Sequence, residues 1–229
     1  MKIFASIIGI SGKMGREIKK NALNSSIDII GGVGRKDFQN LKKLLKKSKV
    51  AIDFSIPSTL DEILNIAIKT TTPLVLGTTG YSEDAFKKIS NASKKIPIFY
   101  SSNFSIGIAL IREFSKLASK MLKNSDIDIL EKHHISKKDS PSGTALTLAD
   151  DIKKTINKDV NIHSIRAANI IGEHSIFFTN ENESIEIKHS AHLRSVFANG
   201  AIQAAKFIYN KKPGLYSMKD LIGENYVRN

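Results

Sequence analysis

The chain has no cysteine and no tryptophan among its 229 residues. Without thiols there are no disulfides, no thiolate metal sites and no cysteine nucleophile. No H-x-x-x-H helix pair is present either, so no metal site is expected. No apolar run is long enough to span a bilayer. Met1 to Ile10 leads straight into a strand-like stretch and lacks the small-residue cleavage site of a signal peptide. A cytoplasmic protein with no membrane partner is the expectation. Arginine is scarce: of 35 basic residues only Arg16, Arg35, Arg112, Arg166, Arg194 and Arg228 are arginines. Base readout and stacking favour arginine, so the formal charge of +13 does not point to nucleic acid. The lysines are spread over many positions, as at Lys42, Lys43, Lys46 and Lys47, and no run interleaves them with aromatics. They read as solvated faces with a general attraction for anionic ligands.

What is present is an ordinary globular composition, 41% hydrophobic, with length for one or two domains. The first hundred residues alternate strand and helix signals. Strands are predicted at Ile3 to Ile8, Ile27 to Val33, Val50 to Phe54, Pro73 to Leu76 and Ile96 to Tyr100. Helices are predicted at Lys13 to Ala22, at Ser58 to Lys69 with Ser58 as N-cap, and at Ser82 to Lys94 with Ser82 as N-cap. Short buried strands separated by helices imply βαβ units and a parallel sheet. After Asn103 the pattern changes. A helix at Ile106 to Lys123 precedes a strand at Ile127 to Lys132, a polar loop, and a helix at Ser142 to Lys154. Three strands in succession follow, at His163 to Ala168, Ser175 to Thr179 and Ser184 to His189, before a last helix at Ala198 to Tyr209. Consecutive strands without helices between them suggest an inserted α+β domain with a mixed or antiparallel sheet.

Gly9-Ile10-Ser11-Gly12-Lys13-Met14-Gly15 fits G-x-x-G-x-x-G, with Ser11 where the dinucleotide fingerprint usually has glycine. The motif follows the first strand and opens the first helix, as that fingerprint requires. Glycines let the backbone approach a pyrophosphate, and the helix N-terminus offers N–H groups and partial positive charge. An NAD-preferring site places an acid near the end of the second strand; here Arg35 and Lys36 come first and Asp37 comes late. Two cations suit a 2′-phosphate, so NADPH is expected in preference to NADH. Gly77-Thr78-Thr79-Gly80 and Ser101-Ser102-Asn103-Phe104 lie at carboxyl ends of predicted strands, where ligands bind in open α/β sheets. The Thr hydroxyls suit ribose, and Asn103 and Phe104 suit the nicotinamide.

Glu131 to Thr144 reads E-K-H-H-I-S-K-K-D-S-P-S-G-T. Imidazole exchanges a proton near neutral pH, and lysine holds a carboxylate or supplies a proton. The turn Ser142-Gly143-Thr144 at a helix start offers hydroxyls and N–H groups to an anion. Together these residues point to a pocket for a small polyanion that is protonated during reaction.

With both motifs placed, the chain resembles the dihydrodipicolinate reductase (4-hydroxy-tetrahydrodipicolinate reductase) family over nearly its whole length. The resemblance rests on Glu131-Lys132-His133-His134, Lys137, Asp139 and Pro141 to Ala145. It is supported by Gly77 to Gly80, Asn103 to Ser105, Gly172-Glu173-His174, and Arg194 with Phe197 to Ala201. It implies NAD(P)H-dependent reduction of a cyclic dicarboxylate on the route to diaminopimelate and lysine. By the same resemblance His133 is the acid that protonates the ring, Lys137 a second donor or carboxylate partner, and His134, Gly143 and Thr144 substrate-binding. It further implies a homotetramer formed through sheets of the inserted domain. The expected architecture is α/β: a Rossmann-type domain at residues 1–103 and 195–229, with a substrate-binding and oligomerisation domain inserted at 104–194. Such a pair would close over its ligands. Three departures stand out. The usual acid after the second strand is missing, the stretch at Ile156 to Ile162 is short, and the usual Arg-Gly-Gly is Arg166-Ala167-Ala168. Other readings are a different two-domain NAD(P)-dependent amino-acid dehydrogenase and a non-enzymatic dinucleotide sensor. His133-His134 with Lys137, together with Pro141-Ser142-Gly143-Thr144, argues against the first, and the intact His133 and Lys137 argue against the second.

Overall fold

A computed structural model describes residues 2–226. Residues 1 and 227–229, which belong to the expected Rossmann domain, lie outside the described residues. The chain begins with β1 (Ile3–Ile8), α1 (Lys13–Ala22), β2 (Ile27–Val33), α2 (Leu41–Leu45), β3 (Val50–Asp53), α3 (Leu60–Thr70), β4 (Leu74–Leu76), α4 (Glu83–Ser93) and β5 (Pro97–Tyr100). It continues with α5 (Ile106–Met121), β6 (Asp126–His133), α6 (Gly143–Ile156), β7 (Asn161–Arg166), β8 (Gly172–Thr179) and β9 (Ser184–Ala191). It closes with α7 (Ser195–Ile208), β10 (Gly214–Tyr216) and α8 (Met218–Tyr226). Two compact units result: residues 1–105 with 195–229, and residues 106–194.

The first unit is a six-stranded sheet in the order β10-β5-β4-β3-β1-β2. Each of its strand pairs is parallel. Every residue of β3 and β4 is buried, as befits strands covered on both faces. Alternation divides the core. Ile8, Ala51, Leu74, Leu76 and Ile98 pack with Leu41, Ile63 and Ile89 from α2, α3 and α4. Their neighbours Ile7, Ile52, Val75 and Phe99 are equally buried and point to the opposite face. There Phe99 meets Phe207 of α7 at 6.0 Å. β1 leads to β2 on one side, and the next connection passes back over β1 to β3 on the other, which makes the switch point where such sheets bind ligands.

The second unit is a four-stranded mixed sheet, β7-β6-β8-β9, with only the β6–β7 pair parallel. Ile127 and Ile129 of β6, with Ile176 and Phe178 of β8, pack against Ile108 and Ile111 of α5 and Leu148 and Ile152 of α6. Arg112 joins the two helices through a bidentate pair with Asp151, at 2.6 and 3.0 Å. Alternation puts Leu130, Ile165 and Phe177 on the other face of the sheet; Ile165 is exposed, and Leu130 and Phe177 are half-buried.

Some boundaries differ from the sequence expectation. Ser58 is not the cap of α3. Pro57–Thr59 forms a 3-10 turn, and Thr59 stands at the N-cap position. Proline fits such a first turn and draws the helical path back by a residue or two. Ser82, by contrast, accepts the Ala85 N–H as expected. The helix expected from Ala198 starts at Ser195, and α2, β10 and α8 were not anticipated.

α7 approaches its neighbours closely through Gly200. A Cβ there would stand 1.7 Å from the Phe104 carbonyl oxygen, a backbone atom that cannot swing aside. Gly200→Ala should therefore destabilise the protein by about 3 kcal/mol, the upper range for overpacking. Thermal unfolding of the variant tests this; an unchanged Tm would show that α7 has room to move.

Candidate active site

The glycine turn after β1 is built as an anion cradle. Gly9 has φ +84, a region open mainly to glycine. Its N–H donates to Val33 O at 2.8 Å, and Gly12 N–H donates to Gly9 O at 3.0 Å. A Cβ on Gly15 would come within 2.3 Å of Gly9 O, so α1 packs directly on the turn. Gly12 caps α1 without a side-chain bond, and the first turn carries no acid. The helix N-terminus thus keeps its positive character for an anion.

Beside this turn lies a cavity of about 550 Å³ at the carboxyl ends of β3, β4 and β5. Of the expected cofactor residues, Lys13, Met14, Gly77, Thr78, Thr79, Ser102, Asn103 and Phe104 line it. Phe54, Ser55 and Phe197 line it too and were not anticipated. Phe54 lies across Gly77, where a Cβ would meet its ring at 2.3 Å. Ser101 is absent from the lining; its hydroxyl donates to Asn103 O at 2.6 Å and shapes that turn. The glycine cradle and the adjoining cavity fit a dinucleotide. A groove of about 560 Å³ beside Ile30, Lys43 and Lys47 contains no histidine and no lining residue from the Gly9–Gly15 turn.

A buried carboxylate supports this cavity. Asp53 is 0% exposed. Its Oδ1 accepts from Ser55 N–H at 3.0 Å and Ser55 Oγ at 2.5 Å, and its Oδ2 accepts from Thr78 Oγ1 at 2.9 Å. It thereby ties the loops after β3 and β4. Burial pushes its pKa up, against the lowering effect of these bonds. At the tip of β2, Arg35 and Lys36 are exposed. Asp37 turns back, its Oδ1 accepting from Gly34 N–H at 2.6 Å. Asp37 thereby closes the turn after β2.

The second unit holds the proton-transfer candidates. His133 is the last residue of β6 rather than part of the following loop, and it is 8% exposed. Its Nδ1 faces the carboxylate of Glu131, two residues back on the same face of the strand. Glu131 is 0% exposed. Its Oε1 also accepts from Arg166 Nη2 at 2.7 Å and from Ser142 N–H at 3.2 Å. Burial pushes Glu131 up, but the bonds from Arg166 and His133 outweigh it and hold its pKa at about 2. Burial lowers His133 below its ordinary value, with Glu131 pulling the other way. The His174 ring lies 5.2 Å from that of His133, and burial followed by the His133 charge takes its pKa down to about 3.

Ser142 is the N-cap of α6, and its groups are used internally. Its Oγ accepts from Ala145 N–H at 3.2 Å and contacts His174 Nε2 at 3.2 Å, while its N–H goes to Glu131. At 2% exposure it supports the turn and presents little surface to a ligand. Gly143 is exposed and Thr144 half-buried at the helix start. Lys137 Nζ is held by Asp139 at 2.7 and 2.8 Å. That contact is the main reason the Asp139 carboxyl is lowered, with the Gly143 backbone adding to it. His134 Nδ1 contacts Ser136 Oγ at 2.9 Å.

Comparison with known proteins gives the family. The family model described as "Dihydrodipicolinate reductase, N-terminus" matches residues 1–104, and "Dihydrodipicolinate reductase, C-terminus" matches residues 107–222. The 4-hydroxy-tetrahydrodipicolinate reductase of Caldanaerobacter subterraneus subsp. tengcongensis is 40% identical, over 97% of this chain and 99% of its own length. That of Thermosipho africanus is 42% identical, over 96% of this chain and 98% of its own. Among solved structures, a dipicolinate-bound dihydrodipicolinate reductase from Paenisporosarcina sp. TG-14 has a TM-score of 0.82 at 22% identity, covering 96% of this chain and 99% of that one. A C. glutamicum DAP dehydrogenase shares the fold with a TM-score of 0.62 at 11% identity, over 96% and 93% of the two chains. Fold and site together define an oxidoreductase with a Rossmann-type unit for NAD(P)H. The chain belongs to the dihydrodipicolinate reductase family.

The Glu131 pairing has a consequence for stability. A carboxyl held at about 2, against its ordinary 4.5, contributes stability above pH 4.5 that is lost as pH falls towards 2. Arg166→Ala leaves this buried charge short of its strongest partner, a change that typically costs about 3–5 kcal/mol near neutrality. The deficit relative to wild type should shrink as pH drops and Glu131 takes a proton. Denaturant unfolding of both proteins at pH 7 and pH 3 measures it; an equal deficit at both pH values would exclude this pairing.

Proposed function

We propose that this chain catalyses the NAD(P)H-dependent reduction of the cyclic dicarboxylate 4-hydroxy-tetrahydrodipicolinate, or its dehydrated form, to tetrahydrodipicolinate. The observation that carries the reading is the buried His133–Glu131 pair beside Lys137 and the N-terminus of α6, in a chain that also holds the glycine cradle. Proton donor, cation and helix N-terminus are what a dicarboxylate that accepts a proton requires. The cofactor, when bound, supplies a hydride. His133 supplies the proton, and a dianion beside it favours the charged ring. Lys137 exchanges Asp139 for a substrate carboxylate, and Gly143, Thr144 and His134 complete the binding of that end. Ser142 acts as the cap behind them. Solved structures named for amino-acid dehydrogenases match at 11–13% identity, a likeness of fold alone.

In the first unit the Gly9, Ile10, Ser11, Gly12 and Gly15 turn takes the pyrophosphate. Thr78 and Thr79 face the ribose, and Asn103 and Phe104 face the nicotinamide. Arg35 and Lys36 favour NADPH over NADH, because Asp37 is turned back onto Gly34 N–H. The open face of the β7-β6-β8-β9 sheet is the surface for a homotetramer.

Purified protein should oxidise NADPH when supplied with freshly made product of dihydrodipicolinate synthase. His133→Ala and Lys137→Ala should each lower kcat about a hundredfold, the usual worth of a general acid. Wild-type turnover by the double variant would sink the assignment.

Cofactor choice is tested separately. Charge-assisted contacts to a phosphate contribute roughly 1.5–3 kcal/mol each, so Arg35→Ala with Lys36→Ala should weaken NADPH more than tenfold and NADH far less. Fluorescence titration of each reduced cofactor at fixed ionic strength decides it. Equal losses would mark both cations as solvated loop residues.

A further inference from the structure

Neither Glu131 nor Gly172 touches substrate in the scheme above, yet both bear on one question: which nitrogen of His133 gives up the proton. A neutral imidazole carries a single N–H. Nδ1 faces Glu131, and Glu131 also receives Arg166 Nη2 at 2.7 Å and Ser142 N–H at 3.2 Å. A carboxylate surrounded by donors can only accept, so the neutral ring holds its proton on Nδ1 and leaves Nε2 bare.

Gly172, at the start of β8, accounts for the other side of the ring. A Cβ there would stand 3.1 Å from His133 Nε2 and 3.5 Å from Cδ2. No left-handed φ is recorded at Gly172, so the backbone conformation does not demand glycine. What glycine contributes is space next to Nε2.

We propose that Glu131 is a positioning residue that fixes His133 as the Nδ1–H tautomer, and that Gly172 keeps Nε2 clear, making Nε2 the nitrogen that passes a proton to the substrate. This deepens the reductase reading and depends on it for the identity of the acceptor. In the step, the protonated ring breaks its Nε2–H bond and keeps the electron pair. The proton forms a C–H bond on the substrate while the reduced nicotinamide supplies the hydride. The ring returns to the neutral Nδ1–H form and is reloaded from solvent. The titratable and charged groups around the ring are Glu131 on its own strand, Lys137 in the next loop, Arg166 at the end of β7 and His174 on β8. From the start of α6 comes only the neutral Ser142.

Three measurements test this. In histidine-labelled protein without substrate, long-range 1H–15N correlation should show neutral His133 protonated on Nδ1. This reading needs no turnover, so it stands even if the reductase assay of the wild type fails. A ring protonated on Nε2 overturns the proposal. Glu131→Gln introduces an amide that can donate to Nδ1 and release the tautomer. It should lower kcat on the order of tenfold or more, leave KM for the dicarboxylate nearly unchanged, and move the alkaline limb of kcat to lower pH, since the carboxylate favours the protonated ring. An unmoved limb with full kcat counts against Glu131. Gly172→Ala crowds Nε2 and leaves Glu131 itself unaltered. It should lower kcat on the order of tenfold, by displacing the reacting atom, with Tm maintained. Full activity in that variant removes Nε2 from the assignment, and it does so even if Glu131→Gln does not fold.

Discussion

The carboxylate of Glu131 is the point on which the second unit turns. Placing a charge at 0% exposure costs several kcal/mol unless donors replace the lost water. Three arrive from three places: the guanidinium of Arg166 at the end of β7, the backbone of Ser142 at the start of α6, and the ring of His133 on β6 itself. The requirement to satisfy one buried charge therefore fixes the ends of two strands and the beginning of a helix together. Arg166 extends the constraint by donating to Asp139 O at 2.7 Å, inside the loop that carries Lys137. Further support comes from backbone bonds, with Ala167 N–H reaching His133 O at 2.9 Å and Ile135 N–H reaching Ala168 O at 3.2 Å.

The first unit uses a related device with a different balance. Asp53 is as buried as Glu131 and also sits near the carboxyl end of a strand. Its donors are hydroxyls and one N–H, all neutral, so burial prevails and its pKa rises. Glu131 has a guanidinium among its donors, and there the bonds prevail over burial. Asp53 thus acts as a tie between two loops lining the cavity, while Glu131 is a permanent charge beside an imidazole. The Gly9–Gly15 turn proposed for the pyrophosphate offers backbone N–H groups at close approach instead of a side-chain charge.

Much of this was legible in the sequence, for physical reasons. Strands β1, β3, β4 and β5 announce themselves as short apolar runs between helices because they are largely buried on both faces. The Gly9 to Gly15 spacing carries its meaning because glycine is required where a helix lies against a turn. Other features left little trace. α2 spans only Leu41–Leu45 and β10 only Gly214–Tyr216, too short for any period to register. His133 reads as a loop residue because polar neighbours mask the alternation that continues through Glu131 and His133 to the end of β6. Ser142 reads as a ligand because a cap and an anion contact use the same chemistry; only its burial and its bonds separate them. The strain at Ala168, a non-glycine residue at φ +44, is likewise invisible until the backbone is seen.

The discontinuity of the first unit bears on how the chain is made. Its sheet needs α7, whose Ala198, Ala201, Ile202, Ala204, Ala205 and Ile208 are all buried, yet α7 follows the whole of residues 106–194. The second unit is contiguous and has its full core by Ala191. During synthesis from the N-terminus it can therefore complete folding while the earlier sheet still lacks its cover on one face. For that interval Ile7, Ile52, Val75 and Phe99 await α7, and the nascent chain is at its most adhesive when it is already more than four-fifths made. A chaperone that shields apolar strands would have its window there, set by topology rather than by any sequence signal.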